Sequence, residues 1–300
     1  LAKKAYYRKE QPVMKKKIPS WGTVINYILL SLLVIICFYP FLNVVAYSLS
    51  SNRAVLSGSV TFYPIEMQLD AYKEIIHRSQ IWTSMRVTIL VTLLGTGLGL
   101  MLTVFAAYAL SKDKLKGRKW ISGMILFTMY FSGGIIPTFL VVKNLGMFDQ
   151  LTSLYIPSAV NVFNFIVMRT FFREIPKSLE EAAYLDGATD VQILLRVVLP
   201  LSMPIIATIG LFYAVYYWND YFNALIFIQS PEKFTLQLRL RSLLFEGELG
   251  AAGNEGLAQQ VMAESLKMTC IVVGTVPILA VYPWLQRYFV KGVMLGSVKG

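Results

Sequence analysis

Ser178-Leu179-Glu180-Glu181-Ala182-Ala183-Tyr184-Leu185-Asp186-Gly187-Ala188-Thr189 is a polar island in an apolar chain, followed by an apolar-periodic run that closes on Leu199-Pro200. Its own chemistry predicts two short helices. Ser178 with Glu181 three residues on has the spacing of a capping box, so a helix is expected over 179–186. Gly187 supplies the left-handed residue that ends it. Thr189 and Gln192 repeat the box, and Val191, Leu194, Leu195 and Val198 carry a second helix until Leu199-Pro200 stops it. Two placements are open for such a pair. It either rests on lipid headgroups or docks on a partner, and five acids (Glu174, Glu180, Glu181, Asp186 and Asp190) suit a basic cleft better than an anionic leaflet.

The surroundings of this island are membrane-like. The 300-residue chain is 56% hydrophobic and 15% charged, with a mean hydropathy of +0.57, too apolar for an ordinary soluble domain. Apolar stretches of about 20 residues, the length a helix needs to cross ~30 Å of hydrocarbon, recur along it. Six spans are expected, at about 24–48, 83–110, 120–142, 154–172, 203–228 and 269–290. The fold class is therefore all-α, a polytopic membrane helix bundle carrying a polar helix pair on one face. A basic arm over residues 1–20, with Lys3, Lys4, Arg8, Lys9, Lys15, Lys16 and Lys17, precedes the first span, which has no small-residue cleavage site after it and reads as a retained anchor.

Charge asymmetry orients the bundle. Placing the N-terminus, the second and fourth connections and the C-terminus on one side collects 19 of the 28 Lys and Arg residues there. The positive-inside rule makes that side cytoplasmic, with both termini inside. The net charge of +11 is thus a topology signal, and nucleic acid is not needed to explain it.

Several chemistries find no residues. Cys37 and Cys270 each fall inside a span and behave as small hydrophobes. The single histidine, His77, has no neighbouring Cys or paired carboxylate, so no metal ligand set and no Ser-His-Asp set can be assembled. No Gly-x-x-x-x-Gly-Lys-[Ser/Thr] occurs, so an ATP-driven process would keep its nucleotide on another subunit. Gly95-Thr96-Gly97-Leu98-Gly99 lies within a span with no strand before it; Gly95 and Gly99 form a small-xxx-small pair that lets helix backbones approach. Gly133-Gly134 with Pro137 predicts a kink in the third span.

Glu181-Ala182-Ala183, then Asp186-Gly187-Ala188, then Leu199-Pro200 at the expected distance, resembles the EAA loop of permease subunits of bacterial ABC importers. Trp218-Asn219 and the ending from Gln286 to Gly300 are similar to the carbohydrate-uptake branch, the subunit equivalent to the smaller maltose permease, and look closest to the lipoprotein-linked oligosaccharide permeases. The resemblance covers about residues 20–300. It implies a type I importer transmembrane fold over 21–300 in the bacterial cytoplasmic membrane, with a coupling loop at about 178–200. It also implies a second homologous permease, two ATPase subunits holding ATP and Mg, an external solute-binding protein and a carbohydrate substrate; no cofactor falls on this chain and nucleic acid is not a partner. Glu181, Ala182, Ala183, Asp186, Gly187, Leu199 and Pro200 would form the coupling element, with Glu181 meeting a basic residue in an ATPase groove. The tail from Gly296 to Gly300 resembles a segment that reaches the ATPase interface in relatives.

The sugar path has two readings. Tyr216, Asn219, Asp220 and Asn223 in the fifth span fall on one helical face by i, i+3, i+4 and i+7 spacing, and Asn161 with Asn164 make an i, i+3 pair in the fourth. Aromatic faces beside amides and a carboxylate suit a sugar, while the same groups also suit an interhelical hydrogen-bond cluster. The external connection at about 229–268 alternates Leu236, Leu238 and Leu240 with Gln237, Arg239 and Arg241, a period-2 pattern that predicts an extended stretch. A Gly/Ala-rich tract over 247–256 follows, either a linker or, as in the maltose relative, a loop reaching the binding protein. Competing functions are a polyamine or phosphate permease, a secondary transporter, which should show mid-membrane carboxylates beyond Asp220, and a membrane enzyme, whose catalytic constellation is absent.

Overall fold

A computed structural model describes residues 21–252, 265–280 and 283. The basic arm, residues 253–256 of the Gly/Ala tract and the tail from Gln286 lie outside the described residues. Among those described, the regular structure is helical. Helix α1 (Trp21–Ser48) and α4 (Ser79–Ser111) are unbroken and long enough to span a bilayer. Residues 21–40 of α1 are exposed throughout, as suits an all-round apolar helix in hydrocarbon. Its last turn is tied down by α2 (Asn52–Leu56) and the loop behind it, where Ala46, Ala54 and Val60 form a small core. Helix α3 (Asp70–His77) then leads into α4.

The third, fourth and fifth expected spans are interrupted. The third is α5 (Arg118–Tyr130) and α6 (Ile135–Asn144), which meet at 116°. What the glycine pair and proline predict as a kink is a reversal, because Gly134 sits at φ +86° and lets the chain turn sharply. The fourth is a short turn, α7 (Thr152–Tyr155), then α8 (Val162–Glu174). The polar pair is α9 (Lys177–Leu185) and α10 (Asp190–Ile193), which continues through a π-turn at Leu194–Val198 into α11 (Leu199–Leu201). An 84° bend then starts α12 (Met203–Trp218). Helix α13 (Phe222–Phe227) follows a break, and the long connection after it contains α14 (Leu236–Ala252). The described part of the sixth span is α15 (Ser265–Ala280).

The expected extended stretch at 235–241 is therefore wrong. Leu236, Leu240 and Leu243 also recur at helical i, i+4, i+7 spacing, and Leu236 and Leu240 are buried against Ile75, Ile81 and Cys270. Burial chose the period that seven alternating residues left open.

Helices α4, α8 and α12 make the main core, with Val91, Phe165, Met168, Ile209, Tyr213 and Tyr217 buried together. Gly95 and Gly99 do the packing expected of them. A Cβ on Gly95 would lie 2.6–2.7 Å from the Tyr217 ring, and one on Gly99 would lie 3.0 Å from the Ala159 carbonyl oxygen and the Tyr213 ring. The two tyrosine hydroxyls then serve the irregular segment between α7 and α8. The Asn161 N–H donates to Tyr213 at 2.9 Å, and Tyr217 donates to the carbonyls of Ser158 at 3.2 Å and Tyr155 at 3.4 Å. Backbone groups freed inside the bundle thereby find partners, as hydrocarbon requires.

Candidate functional site

The two ends of the bundle carry different polar constructions. At one end lie the C-terminal ends of α4 and α8 and the N-terminal end of α12, with the α9–α10 pair against the end of α4. Helix α9 starts at Lys177, one residue before Ser178, with Pro176 as its cap residue at φ −57°, ψ 123°. Ser178 therefore sits in the first turn and the expected Ser178–Glu181 box does not form; the Leu179 N–H bonds the Pro176 carbonyl at 3.2 Å instead. The consequence is that the Glu181 carboxylate is not used on the backbone. Gly187 ends the helix as expected, at φ +80°. The N–H groups of Gly187 and Ala188 bond the carbonyls of Tyr184 and Ala183, both at 3.0 Å, the paired pattern of a Schellman motif.

The second box does form. Thr189 Oγ1 accepts from the Gln192 N–H at 3.4 Å, and Gln192 Oε1 accepts from the Thr189 N–H at 2.9 Å. Leu199-Pro200 does not stop the helix that follows. The i→i+5 turn at Leu194–Val198 accommodates a proline that lacks an N–H and would crowd an ordinary helix, and the chain bends at the buried Ser202 instead.

Side chains tie this pair to the bundle. Lys112, just past the end of α4, pairs with Glu180 and lies 4.1 Å from the Tyr108 ring centroid. Asp113 accepts from Arg118 at 2.5 Å and Lys177 at 2.7 Å, and these hydrogen bonds draw its carboxyl from an ordinary 3.8 down to about 2. Tyr184 donates to the Asp190 carboxylate, a bond that together with burial pushes its hydroxyl up to about 12. Tyr108 reaches the Asp190 carbonyl at 3.3 Å. A cavity of about 830 Å³ opens among these groups, with Phe105 and Phe172 in its wall and Glu180 and Glu181 at its edge. Glu181, Ala182, Asp186 and Gly187 are exposed, Leu185 is 90% exposed, and Ala183 packs inward. One face of the pair is thus committed to the bundle and the other is open. In sequence, Lys112 and Arg118 register only as topology charges, and the signal available there is the acid Asp113 within that basic loop.

At the opposite end the path candidates separate. Helix α12 ends at Trp218, so Tyr216, Asn219, Asp220 and Asn223 do not share a continuous helical face. The buried Asp220 accepts from the Asn223 N–H at 3.1 Å and from its side-chain amide at 3.0 and 3.2 Å; that amide also reaches the Tyr216 hydroxyl at 3.2 Å. Three of the four therefore meet across the break. Asn219 instead donates to the Val215 carbonyl at 2.8 Å. Asn161 caps α8 by accepting from the Asn164 N–H at 3.1 Å, and Asn164 is buried.

Asp149 belongs to no motif in the sequence and gains its role only in the fold. Its carboxylate accepts from the N–H groups of Gln229 and Ser230, each at 2.9 Å, from Ser230 Oγ at 2.5 Å and from Lys233 at 3.2 Å. Its own N–H bonds the Phe227 carbonyl at 2.9 Å. The Ser230 hydroxyl first, then the two backbone donors and Lys233, hold this carboxyl well below the usual range against burial.

The comparisons with known proteins agree with this architecture. The family described as the inner membrane component of binding-protein-dependent transport systems matches residues 95–295. The polygalacturonan/rhamnogalacturonan transport system permease protein YtcP of Bacillus subtilis is 43% identical over 89% of this chain and 94% of its own length. Protein LplC of the same organism is 42% identical over 87% and 89%. A crystal structure of a bacterial ABC transporter involved in the import of the acidic polysaccharide alginate aligns with a TM-score of 0.81 at 36% identity, covering 93% of this chain and 100% of that one. A helix bundle with a capped polar pair at one end, matched over most of its length in sequence and shape, belongs to the family of inner membrane components of binding-protein-dependent transport systems, as a permease subunit of an ABC importer.

Proposed function

We propose that the chain forms half of the translocation path of an ATP-driven importer for an acidic oligosaccharide delivered by an external binding protein. The α9–α10 pair seats in a groove of one of two partner ATPases, which hold ATP and Mg, and carries their closure to this permease, which moves beside a second homologous one between outward and inward states. The observation that carries the reading is the division of that pair: Glu180 is turned to the bundle, while Glu181 pairs with nothing among the described residues and stands beside the exposed Leu185. An open carboxylate next to an apolar tip suits a groove with one basic residue and an apolar floor. The coupling end is cytoplasmic, which agrees with the charge count and puts both termini inside. Glu181, Ala182, Ala183, Asp186, Gly187, Leu199 and Pro200 form the coupling loop; Gly187 and Pro200 shape it, and Glu181 contacts the partner.

The acidic class of substrate is supported by relatives named for polygalacturonan and alginate. Tyr216 and Asn219, both exposed beside the α12–α13 break, line the sugar path, with Asp220, Asn223, Asn161 and Asn164 holding its wall.

Glu181→Arg and Gly187→Val test the coupling role in complexes whose membrane insertion is normal. ATPase co-purification and uptake should fall by about ten-fold or more in both, the size of effect expected for one docked charge or one misdirected helix. Wild-type uptake by either inserted variant overturns the assignment. Uptake assays with galacturonate oligomers against neutral ones of equal length test the substrate class.

A further inference from the structure

The coupling pair is joined to the bundle by chain at two points, Ile175-Pro176 from α8 and the helical run through Leu201 into α12. Helix α4 has no such join. It is nevertheless the 33-residue helix on which both α8 and α12 pack, so a displacement of the pair that left α4 behind would shear the core rather than turn it.

Two ion pairs join the chain at the end of α4 to α9, Lys112–Glu180 and Asp113–Lys177. The first is more sheltered than the second: its side chains are 26% and 14% exposed, against 76% and 53% for Lys177 and Asp113. The Tyr108 ring flanks the Lys112 ammonium, and the Tyr108 hydroxyl meets the Asp190 carbonyl, so both helices of the pair touch the last two turns of α4. A charge pair with little water around it holds its geometry better than a solvated one, and removing one partner strands the other. Adjacent residues on a helix point about 100° apart, which lets Glu180 face inward while Glu181 faces out.

We propose that Lys112 and Glu180 are positioning residues that transmit the displacement of the coupling helices to α4, so that α4, α8 and α12 move as one body. The proposal rests on the coupling reading above. Its test uses the complete complex, both permeases, ATPases and binding protein, in lipid vesicles. Lys112→Glu and Glu180→Lys should each keep wild-type amounts of bound ATPase yet lose substrate-stimulated ATP hydrolysis by about ten-fold, within the usual range of coupling between sites. The double exchange should recover at least half of the stimulation, and Lys112→Arg should stay near wild type. Wild-type stimulation in the single variants, or a double exchange no better than the singles at normal assembly, overturns the proposal. Release of the ATPases by Glu180→Lys also overturns it, because Glu180 would then be a docking residue. Glu181→Arg in the same assay separates the two readings: if it leaves ATPase binding and uptake intact, the coupling reading itself fails, whereas loss there with unaffected Lys112→Glu stimulation removes only the positioning pair.

Discussion

The two ends of this bundle are fastened by different chemistry. At the coupling end, Lys112–Glu180, Asp113–Arg118 and Asp113–Lys177 join side chain to side chain. At the opposite end, one carboxylate, Asp149, gathers two backbone N–H groups, a hydroxyl and an ammonium, while its own N–H is bonded and its φ is +55°. Backbone donors cannot change rotamer, so the Asp149 construction locks one arrangement of the loops after α6 and α13. The solvated Asp113–Lys177 pair can exchange partners at small cost in high dielectric, whereas the sheltered Lys112–Glu180 pair holds its geometry. The Asp149 end is thus held in one arrangement, while the other end combines one sheltered pair with solvated ones, as suits the coupling role proposed above.

The largest predicted effect breaks the support of the fixed end from inside. In Gly95→Ala the new methyl meets the fully buried Tyr217 ring, whose hydroxyl holds the carbonyls of Tyr155 and Ser158. Overpacking of this kind costs about 1–3 kcal/mol, and a displaced ring also gives up its two carbonyl bonds at about 1 kcal/mol each. The unfolding midpoint of the purified complex should fall accordingly, while ATPase co-purification, which the proposed coupling role assigns to the other end, should hold.

Asp149→Ala attacks the same end directly. Its backbone donors and Lys233 lose a charged acceptor, a loss of about 1.5–3 kcal/mol. The variant should unfold earlier at every ionic strength tried, and Asp149→Asn, which keeps one acceptor oxygen, should lose less. A deficit that disappears at high salt would mean that this end, too, is held by screened charge pairs.

The smallest effect belongs to the exposed pairs of the coupling end. Because the folded Asp113 carboxyl is lowered from 3.8 to about 2, its pairs contribute above 3.8 and are lost as pH falls toward about 2. The difference in unfolding midpoint between wild type and Asp113→Asn should therefore be constant from pH 7 to about 5 and close below 3.8. A difference already closing near pH 6 would assign the titration to another group.

Particular residues show how far local pattern reaches. Gly187 and the Thr189–Gln192 box were legible because each answers a need within one turn of chain: a positive φ at a helix end, and orphan N–H groups at a helix start. The Ser178 box failed by one residue, since Pro176 is pre-set to begin the helix and the spacing of Ser and Glu carries no knowledge of its neighbour. The one-face reading of Tyr216, Asn219, Asp220 and Asn223 assumed a helix that the structure breaks after Trp218, although hydrogen bonding still brings Tyr216, Asp220 and Asn223 together.

Composition and span length determined by themselves that this is a membrane helix bundle, because hydrocarbon thickness and the cost of unpaired backbone act on any chain alike. The glycine pair at 95 and 99, the coupling motif and its capped second helix were equally contained in the residues. Tertiary structure alone decided that the third span reverses by 116°, that 236–252 is helix, that Glu180 turns inward, and that Asp149 ties together loops about 80 residues apart. Those outcomes depend on which surfaces meet, and a hydrogen bond or ion pair between distant segments leaves no periodic trace in either one.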